Sequence, residues 1–217
     1  MRLAPEGRII VFPVIVFTVI IFYLTITIVA SITVFIISFG ILIFCLNFFR
    51  DPVRNIPDGQ NLIIAPADGK IVKITEINDP DLGESQLVSI FLNVFNVHAN
   101  RMPIDGTFNE VKYKKGRFLA AFNHKASDEN EQTEISITTK IGTIKVKQIA
   151  GLIARRIICH AKKGNFMEMG GRLGFIRFGS RTDLILPKYV NLSVELNQKV
   201  IGNKTIIGTY ENRSLHL

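Results

Sequence analysis

Polar positions vanish early in the chain. From Ile9 to Phe49 no residue is charged, a run about twice the ~20 residues that cross a bilayer as one helix. Pro13 stands early in it, Gly40 late, and Ser31 and Thr33 near its centre. The run predicts apolar helix, arranged either as two spanning helices with a tight turn near Ala30–Ser31 or as one or two shallow re-entrant helices. A domain this small could hardly bury such a run as a soluble core hairpin. It is also far too long for the apolar part of a cleaved signal peptide. Arg2 and Arg8 flank it on one side, Arg50 and Arg54 on the other. A hairpin puts both flanks on one face, and the positive-inside tendency makes that face cytoplasmic. Residues 1–50 therefore read as a membrane-anchoring segment of the cell (inner) membrane.

Beyond Asp51 the pattern changes to short apolar alternations punctuated by glycine, the signature of strands. Strands are predicted at 61–65, 70–74, 86–92, 133–139, 144–149, 155–159, 172–178, 183–186 and 205–210. Asn93 to Arg101 reads as a short helix or a loop. The expected fold is mainly β: one compact antiparallel β-rich domain over 51–217, α+β at most, behind the hydrophobic helical anchor. One stretch, RLGFIRFGSRTDLILP from Arg172 to Pro187, reads as a strand interrupted by Phe178-Gly179-Ser180.

Charge adds a partner. The net charge is +8, with Lys112, Lys114, Lys115 and Arg117 in one cluster and Arg155, Arg156, Lys162 and Lys163 in another. Beside an anchor, such clusters suit anionic lipid head groups. No recognition-helix or aromatic-platform pattern accompanies them, so nucleic acid is not the expected partner. Cys45 lies in the apolar run and Cys159 in the β domain. They are not expected to pair, no spacing suggests a zinc site, and the usage fits a reducing compartment.

Four segments could carry chemistry, and each also has an ordinary structural explanation. Gly179-Ser180 suits a bulge or turn, but a serine hydroxyl beside a glycine carbonyl can also attack it, since glycine permits close approach and strained angles. Pro66-Ala67-Asp68-Gly69 is a self-sufficient turn that also carries a carboxylate. Phe95-Asn96-Val97-His98-Ala99-Asn100-Arg101-Met102-Pro103 holds a histidine in apolar company. Lys125 to Glu131 is a polar loop before a strand.

In this fixed order, PADGK, FNVHANRMP, KASDENEQ and FGSRTDLILP resemble the phosphatidylserine decarboxylases, in their shorter, membrane-anchored bacterial branch. The resemblance implies an inactive precursor that cuts itself between Gly179 and Ser180 by serinolysis. It implies a β chain of residues 1–179 and an α chain of 180–217, which stay associated. Ser180 would become a covalent pyruvoyl cofactor, forming a Schiff base with the amine of phosphatidylserine and accepting the electrons released with carbon dioxide. No metal and no pyridoxal phosphate are implied. The product would be phosphatidylethanolamine, the partners the phospholipid and its membrane, and two copies could pair as a homodimer. His98 is the expected general acid/base and Asp68 the carboxylate that orients it. The longer branch carries a second histidine three residues after the first; Arg101 stands there in this chain. Arginine stays protonated and is a poor base, so its forked donors are assigned to the substrate carboxylate or phosphate. Arg181 replaces the threonine of the longer branch's leucine-glycine-serine-threonine and has no assigned role beyond a guessed phosphate contact. The alternative is a membrane-anchored, non-enzymatic lipoyl- or biotinyl-like β domain, which shares the PADGK turn. Met167-Glu168-Met169 lacks the lysine such a carrier needs. A serine hydrolase is disfavoured because no Gly-x-Ser-x-Gly elbow surrounds Ser180.

Overall fold

The structure is a computed structural model and is described for residues 2–27, 31–116, 130–151, 156–177 and 179–211. It divides into two compact units, Met1–Val53 and Arg54–Leu217.

The first unit is a pair of helices, α1 (Arg8–Ile26) and α2 (Ile32–Phe48). Pro13 lies inside α1, in its second turn, where the Ile9 carbonyl goes without its helical donor. Ser31 caps α2, accepting from Thr33 N at 3.2 Å. Phe22 meets Phe35 with ring centroids 5.3 Å apart. The outer ends are tied together: Ala4 N donates to Phe49 O at 2.7 Å, and Asp51 N to Arg2 O at 2.8 Å. The unit is thus an antiparallel hairpin whose outward side chains are apolar, among them Phe12, Phe17, Tyr23, Ile36 and Phe39. Pro5–Ile26 is long and apolar enough to cross a membrane, whereas Ile32–Phe48 is shorter.

The second unit is β throughout its described residues. Its strands are β1 (Leu62–Ile64), β2 (Gly69–Asp79), β3 (Gly83–Leu92), β4 (Ala99–Arg101), β5 (Gly106–Lys114), β6 (Gln132–Thr139) and β7 (Gly142–Ala150). They continue with β8 (Ile157–Cys159), β9 (Phe166–Met167), β10 (Arg172–Ile176), β11 (Ser180–Pro187), β12 (Asn191–Leu192), β13 (Lys199–Val200) and β14 (Ile206–Thr209). Eight form one antiparallel sheet in the order β13-β2-β3-β11-β7-β6-β5-β9; smaller sheets run β1-β14-β12 and β4-β10-β8. One face of the large sheet supplies the core, with Ile71, Val88, Ile90, Leu92, Ile135, Ile137, Ile144, Val146, Leu184 and Leu186 all buried. Their period of two along each strand is the pattern that predicted strands.

Of the two readings of the Asn93–Arg101 segment the loop holds and the helix does not, and the reading of 172–187 needs correction. Asn93 and Asn96 close a turn through Phe95 N to Asn93 Oδ1 at 2.8 Å and Asn93 N to Asn96 Oδ1 at 2.9 Å, and the chain then enters β4. The interrupted strand of 172–187 is two strands in two different sheets, β10 and β11. Its interruption is where the chain changes sheets. β5 was not expected, because its alternation is carried by Glu110, Lys112 and Lys114 on an exposed edge region. Cys45 and Cys159 are both free. Burial raises the Cys159 thiol above its ordinary value, only partly countered by a bond from the Ala161 backbone.

Candidate active site

Gly179 stands at the change of sheets with φ +63, a left-handed conformation that disfavours any side chain. Ser180 follows as the first residue of β11. It is paired on both sides, with Leu92 of β3 and Ala150 of β7. Ser180 is 0% exposed, and its Oγ has no hydrogen-bond partner among the described residues. A buried hydroxyl left so costs roughly 1–3 kcal/mol, so its presence calls for a chemical reason. A nucleophile beside a glycine carbonyl is one; among the described residues, its two chain neighbours aside, nothing lies within 4 Å of a Gly179 Cβ position.

The other three segments converge on the same end of the sheet. Lys70 pairs with Phe91, so antiparallel counting sets Gly69 level with Leu92, the partner of Ser180. The Pro66–Gly69 turn is therefore two strand spacings from Ser180, roughly 10 Å. The same turn accepts from Arg101 N at Pro66 O, 2.8 Å. His98 O accepts from Ile176 N at 3.2 Å. Two residues on, Asn100 Nδ2 donates to Thr182 Oγ1 at 3.1 Å, and Gln148 Nε2 to Asn100 Oδ1 at 2.7 Å. Asn100 lies two residues past His98 and Thr182 two past Ser180, so this bond ties the segment that carries His98 to the strand that carries Ser180. Of the fourth segment, 125–129 lies outside the described residues. Its end is anchored here: Asn130 Nδ2 donates to Ala150 O at 2.7 Å, on the residue opposite Ser180.

His98 is fully buried, its Nδ1 2.9 Å from Asn96 O and its ring 6.3 Å from that of Phe175. A carbonyl can only accept, so in the neutral ring Nδ1 carries the proton and the lone pair lies on Nε2. That is the tautomer a base requires. Asp68 is buried too, and its bonds to the described residues run elsewhere. Arg54 Nη1 and Nη2 grip its two oxygens, the latter at 2.8 Å, and Gly202 N donates to Oδ1 at 2.9 Å. A direct Asp68–His98 contact is not among them. Arg54 Nη1 also donates to Gly202 O at 2.8 Å. Arg54 was counted as a membrane flank; its guanidinium is instead spent on Asp68. Arg101 is half-buried at the end of β4.

Arg181 is no phosphate contact. It is 1% exposed, with Nε 2.6 Å from Asp183 Oδ1 and Nη2 2.6 Å from Ser89 Oγ. Sequence reasoning passed over Arg54, Asn100, Gln148 and Thr182. The readable signal was polarity at core-facing positions: Asn100, Gln148 and Thr182 are all fully buried. Gly174 lets them meet, since a Cβ there would lie 2.7 Å from Gln148 Nε2 and 2.2 Å from Ile158 O.

The family model for phosphatidylserine decarboxylase matches residues 41–208. A phosphatidylserine decarboxylase proenzyme of Chlorobaculum tepidum is 44% identical over 172 residues, 79% of this chain and 80% of that one. The protein of the same name from Ehrlichia chaffeensis is 48% identical over 176 residues, 79% and 78% of the two chains. That from Wolbachia pipientis wMel is 43% identical over 207 residues, 89% and 90%. These matches, rather than a lipoyl- or biotinyl-type carrier, account for the PADGK turn. Alike across most of its length to decarboxylases made as proenzymes, the chain belongs to the phosphatidylserine decarboxylase family.

Proposed function

We propose that the chain cuts itself between Gly179 and Ser180 and then decarboxylates phosphatidylserine to phosphatidylethanolamine at the membrane, using a pyruvoyl group made from Ser180. The observation that carries this is the buried Ser180 Oγ, without a partner among the described residues, next to a left-handed glycine. Ser180 Oγ adds to the Gly179 carbonyl, and the acyl group moves from nitrogen to oxygen. Loss of the Ser180 Cα proton breaks the Cβ–Oγ bond, and the oxygen leaves with Gly179 as its carboxylate. Water then replaces the nitrogen of residue 180, which departs as ammonia. The pyruvoyl group supplies a carbonyl that binds the substrate amine and takes up the electrons released with carbon dioxide.

His98 takes up and returns protons at Nε2 in both processes. Asp68 orients it through the backbone. Fixed by Arg54 and the Gly202 amide, it holds the turn whose Pro66 carbonyl binds Arg101 N, three residues past the base. Arg101 meets the substrate's carboxylate or phosphate. The apolar hairpin supplies the anchor. Phe95, 67% exposed on the turn three residues before His98, adds an apolar contact for acyl chains at the rim.

The test is a denaturing gel with intact mass analysis. Cleaved protein gives a fragment of residues 180–217, on the order of 4 kDa of the 24.4 kDa total, resistant to amino-terminal sequencing because its first residue lacks an amine. Ser180→Ala gives one intact, inactive chain. Two fragments from that variant, or activity from the uncut chain, would overturn the reading.

A further inference from the structure

We infer that Arg181 is a positioning residue that holds the newly made chain end in register after the cut. The inference rests on cleavage before Ser180, as proposed above. A strand end created by cleavage is poorly placed to stay ordered, because termini fray unless tied down. The difficulty is sharper here. Residue 180 loses its nitrogen on conversion and with it a backbone donor, in a strand bonded on both sides. The reactive carbonyl then sits on the first residue of β11, and a small displacement would misplace it.

Arg181 is built to prevent this. By strand alternation its side chain lies on the face opposite Ser180, clear of the reaction. It runs along β11, away from the cut. Nε donates to Asp183 Oδ1 at 2.6 Å and Nη2 to Asp183 Oδ2 at 3.2 Å, a forked contact, while Nη2 also reaches Ser89 Oγ at 2.6 Å. Ser89 is on β3 and is the register partner of Asp183. The fork to Asp183 sets the guanidinium within the new α chain, and its one bond to Ser89 fastens the second residue of that chain to a strand of the β chain, a bond that backbone cleavage leaves intact. Both Arg181 and Asp183 are 1% exposed. Burying such a pair brings little net stability over apolar residues but specifies one arrangement. A device for register is what that trade provides, and it gives a role to the residue standing where the longer branch has threonine.

The test uses full-length protein with Arg181→Met, Arg181→Lys and the milder Ser89→Ala. Extent of cleavage, release of the α fragment on a urea gradient, and kcat and KM on phosphatidylserine in mixed micelles are measured. Arg181→Met is expected to cleave, to release its α fragment at lower urea than the parent, and to lose at least tenfold in kcat with KM within about twofold. Arg181→Lys keeps the charge without the fork and recovers part of the kcat; Ser89→Ala shifts in the same direction by less. Parental urea release and kcat in Arg181→Met overturn the inference. If that variant fails to fold, parental values in Ser89→Ala overturn it equally. Absence of cleavage in the parent would sink the underlying reading instead, so the two failures are distinguishable.

Discussion

The two ends of β11 are built to different standards. At the Pro187 end, Leu184 and Leu186 enter the main core beside Val88 and Val146. Gln86 Nε2 closes the neighbouring loop on Lys188 O at 2.9 Å and Val190 O at 2.8 Å. The residue opposite Ile185 is Lys145, buried but fully engaged: its Nζ lies 2.7 Å from Asp79, 2.6 Å from Asp81 and 3.5 Å from Glu134. At the Ser180 end the backbone is left-handed at Gly179, and Ser180 Oγ and Gln148 Oε1 are buried without hydrogen-bond partners among the described residues. One end resolves its polar groups, and the other keeps costs of roughly 1–3 kcal/mol apiece. A single strand eight residues long thus separates what holds the fold from what the proposed chemistry would use. Changes at one end should move stability, and changes at the other should move activity.

The largest expected effect that tests this division is at the site. His98→Gln keeps the ring's approximate volume and removes the base. Cleavage should slow, and activity per cleaved molecule should fall by about 10²- to 10⁴-fold, the usual worth of positioned acid/base groups, with the unfolding midpoint in a Ser180→Ala background little changed. Kinetics alongside urea denaturation check both; a large stability loss with intact turnover would erase the distinction. Next, at the far end, Lys145→Ala strands Asp79 among buried neighbours. Breaking a buried pair by removing one partner costs about 3–5 kcal/mol. Denaturation in a Ser180→Ala background, where no cleavage complicates the curve, measures it. A cost under about 1 kcal/mol would put the stabilising weight elsewhere.

The pH profile sharpens the same point with a smaller effect. Burial by itself would raise the Asp79 carboxyl, but bonds from Lys145 and from the Asp81 and Leu82 amides bring it below its ordinary 3.8. Burial likewise opposes the charge on Lys145, yet its carboxylate partners hold its value above the ordinary 10.5. The lowered acid contributes stability that is complete above about pH 4 and disappears as pH falls through its folded value. The raised base contributes below about pH 10 and is lost as pH climbs through its own. The uncut protein should therefore be flat in stability between those limits as far as this cluster is concerned. In Lys145→Ala this group's acid-side loss should shrink, since a carboxyl no longer held below its unfolded value takes up protons as readily folded as unfolded. Superimposable acid arms in the two proteins would contradict it.

How much of this the sequence disclosed follows from which signals are local. Most strands were legible because one face is buried, and alternation reports that directly: Ile135 and Ile137, or Val88, Ile90 and Leu92, spell it out. β5 was missed because charges carry its pattern. The break between β10 and β11 was visible as Gly179-Ser180, but that it joins two sheets is long-range information that no window contains. Likewise, the ordered motifs pointed to Ser180, His98 and Asp68, while Arg54 stood 14 positions from its carboxylate and looked like a membrane flank. Gln148 and Thr182 looked like unremarkable polar positions in strands. Only register places them beside Asn100.

The smallest expected effect contrasts two glycines of the Arg172–Pro187 stretch. Gly179 is left-handed, yet a Cβ there would meet nothing within 4 Å among the described residues beyond its chain neighbours. Gly179→Ala, made in the Ser180→Ala background to keep the chain whole, should cost about 1–2 kcal/mol, the conformational penalty alone. Gly174→Ala is the control with the opposite cause. Its backbone is not left-handed, but the methyl would fall 2.2 Å from Ile158 O and 2.7 Å from Gln148 Nε2, so it must push β8 and the Asn100–Gln148 pair apart and cost more. Urea midpoints of the two variants check the ranking. If Gly179→Ala proved the more damaging, the space beside the Gly179 Cα would be closed and backbone conformation would no longer be the sole cause of its cost.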